Sequence, residues 1–145
     1  MVWFIVGLCA APSIYLWSQI SERFGTVNTY VLTCFLAAVG VALTVSGLGW
    51  WCVVLGSGLL GATFMGISAL GLFRVREINH DHLARLTGIM TASFGLGQMI
   101  GPTFAGSIAS ASGSFLLPSA VAAGALVVSG LLVLLPGFNR QPSHE

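Results

Sequence analysis

The sequence predicts an all-α, polytopic membrane protein, one bundle of about five transmembrane helices, and three observations lead there. Of its 145 residues 56% are hydrophobic and only 6% are charged, whereas a soluble domain carries roughly a quarter charged residues. A soluble fold could not dress its surface with so few. The five arginines and four acids also cluster, leaving long uncharged stretches near the roughly 20 helical residues that cross about 30 Å of hydrocarbon. Short turns rich in small residues separate some of these stretches, and charged connections separate the others.

The first span runs from about Val2 to Ile20. Its opening Met-Val-Trp-Phe-Ile-Val-Gly has no basic segment, which makes it a true span rather than a secretory signal. The second runs from Val27 to Ser46 and turns through Gly47-Leu48-Gly49 into the third, Trp50 to Phe73. The fourth runs from Thr87 to Ser110 and turns through Ala111-Ser112-Gly113-Ser114 into the fifth, Phe115 to Leu135.

Both of those turns are uncharged. The remaining connections hold Glu22 and Arg23, then Arg74, Arg76, Glu77, Asp81 and Arg85, and finally Arg140 and Glu145 in the tail. All five arginines therefore fall on one side. By the positive-inside rule that side is cytoplasmic, which places the N-terminus outside and the C-terminus inside an inner membrane. Trp3, Phe4, Trp50, Trp51 and Phe115 at the outer ends, with Tyr15, Trp17, Tyr30 and Phe73 at the inner ends, are placed as aromatic belts, any single one of them reading equally well as an ordinary lipid-facing aromatic without an anchoring role.

Several functions are excluded by what is missing. There is no lysine and the net charge is +1, so neither a nucleic-acid surface nor a polybasic lipid anchor is on offer. Cys9, Cys34 and Cys52 lie in apolar stretches without ligand spacing and read as packing residues. His80-Asp81-His82 has no further Cys or His nearby to complete a metal shell. No span holds an acid, a base or a histidine to activate a serine, so the chain is not read as an enzyme, and no cofactor or metal is expected.

Two spans are built for close approach. The third has Gly58, Ala62 and Gly66 at four-residue spacing, with Gly56, Gly61 and Gly71 beside them; the fourth has Ser93, Gly97, Gly101 and Ala105. In lipid, helices associate through small residues that let backbones gain dispersion contacts. Gln98 is the most polar group at mid-depth, and its amide must face protein or an aqueous cavity. It either contacts a solute or hydrogen-bonds between helices. Thr63, Ser68, Thr91 and Ser93 are the weaker candidates for lining a path, because hydroxyls in spans bond back to the preceding turn. Pro12 and Pro102 read as kinks.

The fourth span reads Gly88, eight residues, Gly97, three residues, Gly101-Pro102, two residues, Ala105-Gly106. This spacing resembles the antiporter motif of the major facilitator superfamily, with alanine in place of the first glycine of the final pair. Ser18-Gln19-Ile20-Ser21-Glu22-Arg23-Phe24-Gly25 resembles the superfamily's cytoplasmic loop signature, with serine for the leading glycine, glutamate for aspartate, and no basic pair following. Gly7, Pro12-Ser13 and Trp17, then Gly61-Ala62-Thr63-Phe64-Met65-Gly66, then Thr91-Ala92 and Gly97-Gln98-Met99-Ile100-Gly101-Pro102 resemble its YbfB/YjiJ-type branch over nearly the whole chain.

The resemblance implies the last five helices, eight to twelve, of a secondary carrier for a small solute. Helices two to six are the less favoured register, because the arginine expected three residues before Gly61 is Gly58 here. On this reading the chain is a C-terminal fragment whose partners are the bilayer, the solute and a missing N-terminal half. The short tail from Asn139 to Glu145 agrees with that placement. It would be inactive alone, and Glu22, Arg23 and Gly25 would form a conformational latch. The rival is a small non-transporting scaffold or assembly partner that uses the same glycine faces.

Overall fold

The computed structural model describes residues 2–78 and 82–135, with side chains for 4–76 and 82–135. The His80-Asp81 pair and the tail from Asn139, with Arg140 and Glu145, lie outside the described residues, as does the Trp3 side chain. Five helices follow in order: α1 Val2–Phe24, α2 Thr26–Val45, α3 Trp50–Ile78, α4 Leu83–Ser112 and α5 Leu116–Val133. No strand occurs among the described residues.

The helix ends follow from local chemistry. Only Gly25, at φ +83°, separates α1 from α2, a conformation that a side chain makes costly. Gly47 at φ +67° and Gly49 at φ +118° shape the turn into α3, and Gly113 at φ +66° closes α4 in the left-handed region. Charged residues do not stop helices here. Ser18–Phe24 continues α1, Arg74 and Arg76 continue α3, and Arg85 already lies in α4, so the expected loop signature and much of the expected charged connection are helical. Backbone hydrogen bonds within a helix are indifferent to whether the side chains reach water, and between Pro12 and Gly25 the sequence offers no glycine or proline to break α1.

Packing sets the order of the helices in space. α3 packs along both α1 and α2, α5 packs along the other side of α2, and α1 meets α2 more sparingly. α4 touches α3 and α5 lightly, and α3 does not meet α5. α2, α3, α4 and α5 therefore form a ring with an opening between α3 and α5. The starts of α2 and α4 and the ends of α3 and α5 line one cavity there, which places the ends bearing Arg74, Arg76 and Arg85 together.

Four helical segments are long and apolar enough to cross a membrane: Phe4–Phe24, Thr26–Val45, Trp50–Arg76 and Leu116–Val133. The fourth helix falls outside that set despite its 30 residues. Gln98 and its many glycines, serines and threonines dilute the hydrocarbon surface that the spacing of charges had suggested. Large apolar side chains face outward all round the bundle, among them Trp51, Leu55, Met99 and Leu131. In water such a surface would aggregate; in a bilayer it is the solvated surface.

Candidate functional site

The closest helix contact is made by a glycine outside the Gly58, Ala62, Gly66 row. A methyl group at Gly61 would run into the backbone of Val6 on α1, so α1 and α3 touch main chain to main chain. Gly58 is looser, with Cys9 Sγ 3.6 Å from where its Cβ would stand. Gly66 faces the Trp17 indole, and Trp17 Nε1 donates to the Ala62 carbonyl at 2.6 Å. Trp17 is therefore a buried packing residue rather than an interface anchor, 4% exposed. On the other side of α3, Gly56 and Gly40 bring α3 and α2 together. A Cβ at Gly56 would meet the Gly40 carbonyl at 2.7 Å and Thr44 Cγ2 at 2.8 Å.

The polar candidates do not gather into one pocket. Thr63 is 1% exposed and donates to the Leu59 carbonyl at 2.8 Å, inside the bundle. Thr91 donates to the Thr87 carbonyl at 2.9 Å, Ser93 to the Ile89 carbonyl at 2.8 Å, and Ser68 to the Phe64 carbonyl at 3.4 Å. Each hydroxyl thus satisfies its proton within its own helix and keeps acceptor capacity. The contacts between α3 and α4 include the Phe64 and Phe94 rings, 5.8 Å apart, and Met90 Cε, 2.6 Å from a notional Gly71 Cβ. Ser68, Thr91 and Ser93 lie between those contacts along their helices. Gln98 lies one turn past Phe94 and is exposed.

The glycine row of α4 stays open. A Cβ at Gly88, Gly97, Gly101 or Gly106 would meet nothing within 4 Å. Pro102 is exposed, as is Pro12 in α1, and Ala105 is half-buried. Ala109 is the only buried residue of α4 among those described. Glu22 and Arg23 are exposed in the last turn of α1. Arg23 is well placed against the negative end of the helix dipole and Glu22 is not. Gly25 accepts from Thr29 through both its backbone N–H, at 3.1 Å, and its hydroxyl, at 2.9 Å.

The molecule is thus a membrane bundle whose fourth helix has an open glycine face and a proline. The family described as "Uncharacterised MFS-type transporter YbfB" has a model that matches residues 1–134. The chain belongs to that family. No curated protein and no solved structure matches it.

As an MFS-type chain it is a multi-pass membrane protein with a role in transport rather than an enzyme. No group of His, Cys, Asp or Glu among the described residues could hold a metal ion. Sequence reasoning named Gly56 and Gly61 only beside the Gly58, Ala62, Gly66 row and did not name Gly40, although all three make close contacts. Gly56, Gly61 and Gly66 follow at five-residue spacing and so lie on different faces of α3, in a run where nearly every face has a glycine. Nothing in the spacing says which face meets a neighbour.

Proposed function

We propose that the chain forms helices eight to twelve of a secondary carrier for a small solute, lodged in an inner membrane with its arginine-bearing side in the cytoplasm. α4 then lies at the seam with an N-terminal half, and the bundle rocks against that half around a mid-membrane site. The observation that carries this reading is α4 itself, the helix with an exposed Gln98 and an open glycine row. An amide facing hydrocarbon without partners costs several kcal/mol, and glycines facing lipid contribute no packing. A second half, or a water-filled path beside it, removes both penalties.

Thr91, Gln98 and Ala105 follow one another at seven-residue spacing and share one stripe of α4, while Ser93, Gly97 and Gly101 turn progressively away from it. The stripe suits a solute path and the glycine row a helix contact. Ser68 can join the path from α3; Thr63, held inside the bundle, fits an interior packing role. Pro102 supplies a bend in α4 and Pro12 one in α1, with Gly88 and Gly106 leaving room toward either end of α4.

The test is thiol accessibility in membranes. A Gln98→Cys variant, made with Cys9, Cys34 and Cys52 replaced by serine and expressed together with the complementary half, is expected to react with a membrane-impermeant methanethiosulfonate. Leu131→Cys, on the lipid-facing side of α5, is the unreactive control. Equal protection at both positions would remove Gln98 from any aqueous path. The open glycine row also suits a scaffold that binds other membrane helices. Stable accumulation without a complementary half, together with loss of a cross-linked partner in Gly101→Leu, would favour that reading.

A further inference from the structure

α2 and α4 each bridge α3 and α5, which do not meet, and the gap between the four encloses about 330 Å³ at the arginine-bearing end. This is at the low end of the roughly 300–1,000 Å³ of small-ligand sites. Its walls are almost wholly apolar: Val27 from α2, Leu70 and Val75 from α3, Met90 from α4 and Val133 from α5. Of these only Leu70 is buried, and the others remain half-exposed, so the gap is not sealed. The Tyr30 hydroxyl in the same wall lies 3.2 Å from Ser129 Oγ and is already engaged. A sugar or an amino acid would find few polar groups here to replace its water.

One charge lines the gap, that of Arg74. It follows directly on the apolar stretch that ends at Phe73, where hydrocarbon gives way to headgroups. α3 carries on past it to Ile78, and its 29 residues span about 44 Å against a hydrocarbon core of about 30 Å. Apolar walls below and a guanidinium at headgroup depth match a molecule with a hydrocarbon tail and an anionic head. The surrounding bilayer offers that molecule at high local concentration.

We propose that this gap holds one acyl chain of an anionic phospholipid whose phosphate is bound by Arg74. The guanidinium has five N–H donors, so it can take a phosphate beside the interaction it already makes within the protein. Basic pockets between transmembrane helices bind acidic lipid headgroups by the same logic. Gly71 sets the size of the gap: Met90 Cε occupies the space a side chain there would need, so the thioether forms a wall that can adjust to a tail. The proposal requires only that the helices span a bilayer and is independent of any role for Gln98.

The test is native mass spectrometry of the purified chain released from nanodiscs containing phosphatidylglycerol, phosphatidylcholine, or a mixture. One phosphatidylglycerol per chain is expected to survive release, in preference to phosphatidylcholine. Arg74→Gln should weaken retention about fivefold, the effect of one basic residue at a membrane surface. Val133→Phe should displace the lipid by filling the gap, whereas Val128→Phe, on the exposed side of α5, should leave it bound. Equal retention of both lipids, unaffected by Arg74→Gln, would mean nonspecific annular lipid and overturn the proposal. So would a lipid that survives Val133→Phe, or displacement of the lipid by an anionic solute that the carrier then transports.

Discussion

At the scale of single residues, the glycines of this chain divide by what a methyl group would meet. At Gly61 it would strike the Val6 backbone, which cannot move without separating α1 from α3. Gly61→Ala is expected to lower stability by about 1–3 kcal/mol, the usual range for overpacking, read as a lower thermal unfolding midpoint in detergent. Gly97 is the counter-case, with nothing within 4 Å. Gly97→Ala should leave the isolated chain as stable as before or slightly more so, because alanine is the better helix former by about 1 kcal/mol. On the proposed assembly with an N-terminal half, the same substitution should become damaging in the assembled carrier. Trp17→Phe keeps most of the packing but loses the hydrogen bond to the Ala62 carbonyl. The expected loss is about 0.6–2 kcal/mol, the range for hydrogen bonds between membrane helices.

At the scale of the helices, the number and type of elements were legible because charge and hydropathy are properties of contiguous sequence. The neighbours were not. Nothing in the spacing says that α3 lies between α1 and α2, or that α2 and not α4 is the main partner of α5. In a chain this rich in glycine, small residues occur on contact faces and open faces alike, and Gly58 and Gly61 differ only in which way they turn. The aromatic residues carried the same ambiguity: Trp17 lies near a helix end, as an interface anchor would, yet is buried against Gly66. The candidate site was legible in part, since α4 was singled out by its polar and glycine content, but whether that face is covered depends on partners. Two outcomes belong to this scale. Backbone amides of α4, which packs lightly on α3 and α5, should exchange with deuterium before those of α3 in detergent. Gly25→Ala, at φ +83° and ψ 147°, should cost about 1–3 kcal/mol and disturb the junction of α1 with α2 while leaving α3 and its contacts with Val6 and Trp17 in place.

At the scale of the whole molecule, the proposed direction of the bundle in the membrane rests on where the arginines are. Arg74, Arg76 and Arg85 come together at one end of the bundle, and Arg23 lies at the corresponding end of α1, while the turns at the other end, through Gly47 and Gly113, carry no charge. Under the proposed orientation the arginines stay on the cytoplasmic side, because moving them across the membrane during insertion is disfavoured. A fluorescent protein that folds only in the cytoplasm should therefore be dark when inserted at Leu48 or Ser114. A phosphatase active only outside should be active at the same points. Adding two arginines to the Gly47-Leu48-Gly49 turn, and neutralising Arg74 and Arg76 together, should populate the inverted orientation and exchange the two signals. If the unaltered chain already gave fluorescence at Leu48, the arginine cluster would not be setting the orientation. The conformational latch that the resemblance implies for Glu22 and Arg23 would then sit on the outer face, where neutralising the pair could no longer shift the balance between inward- and outward-open states from the cytoplasmic side.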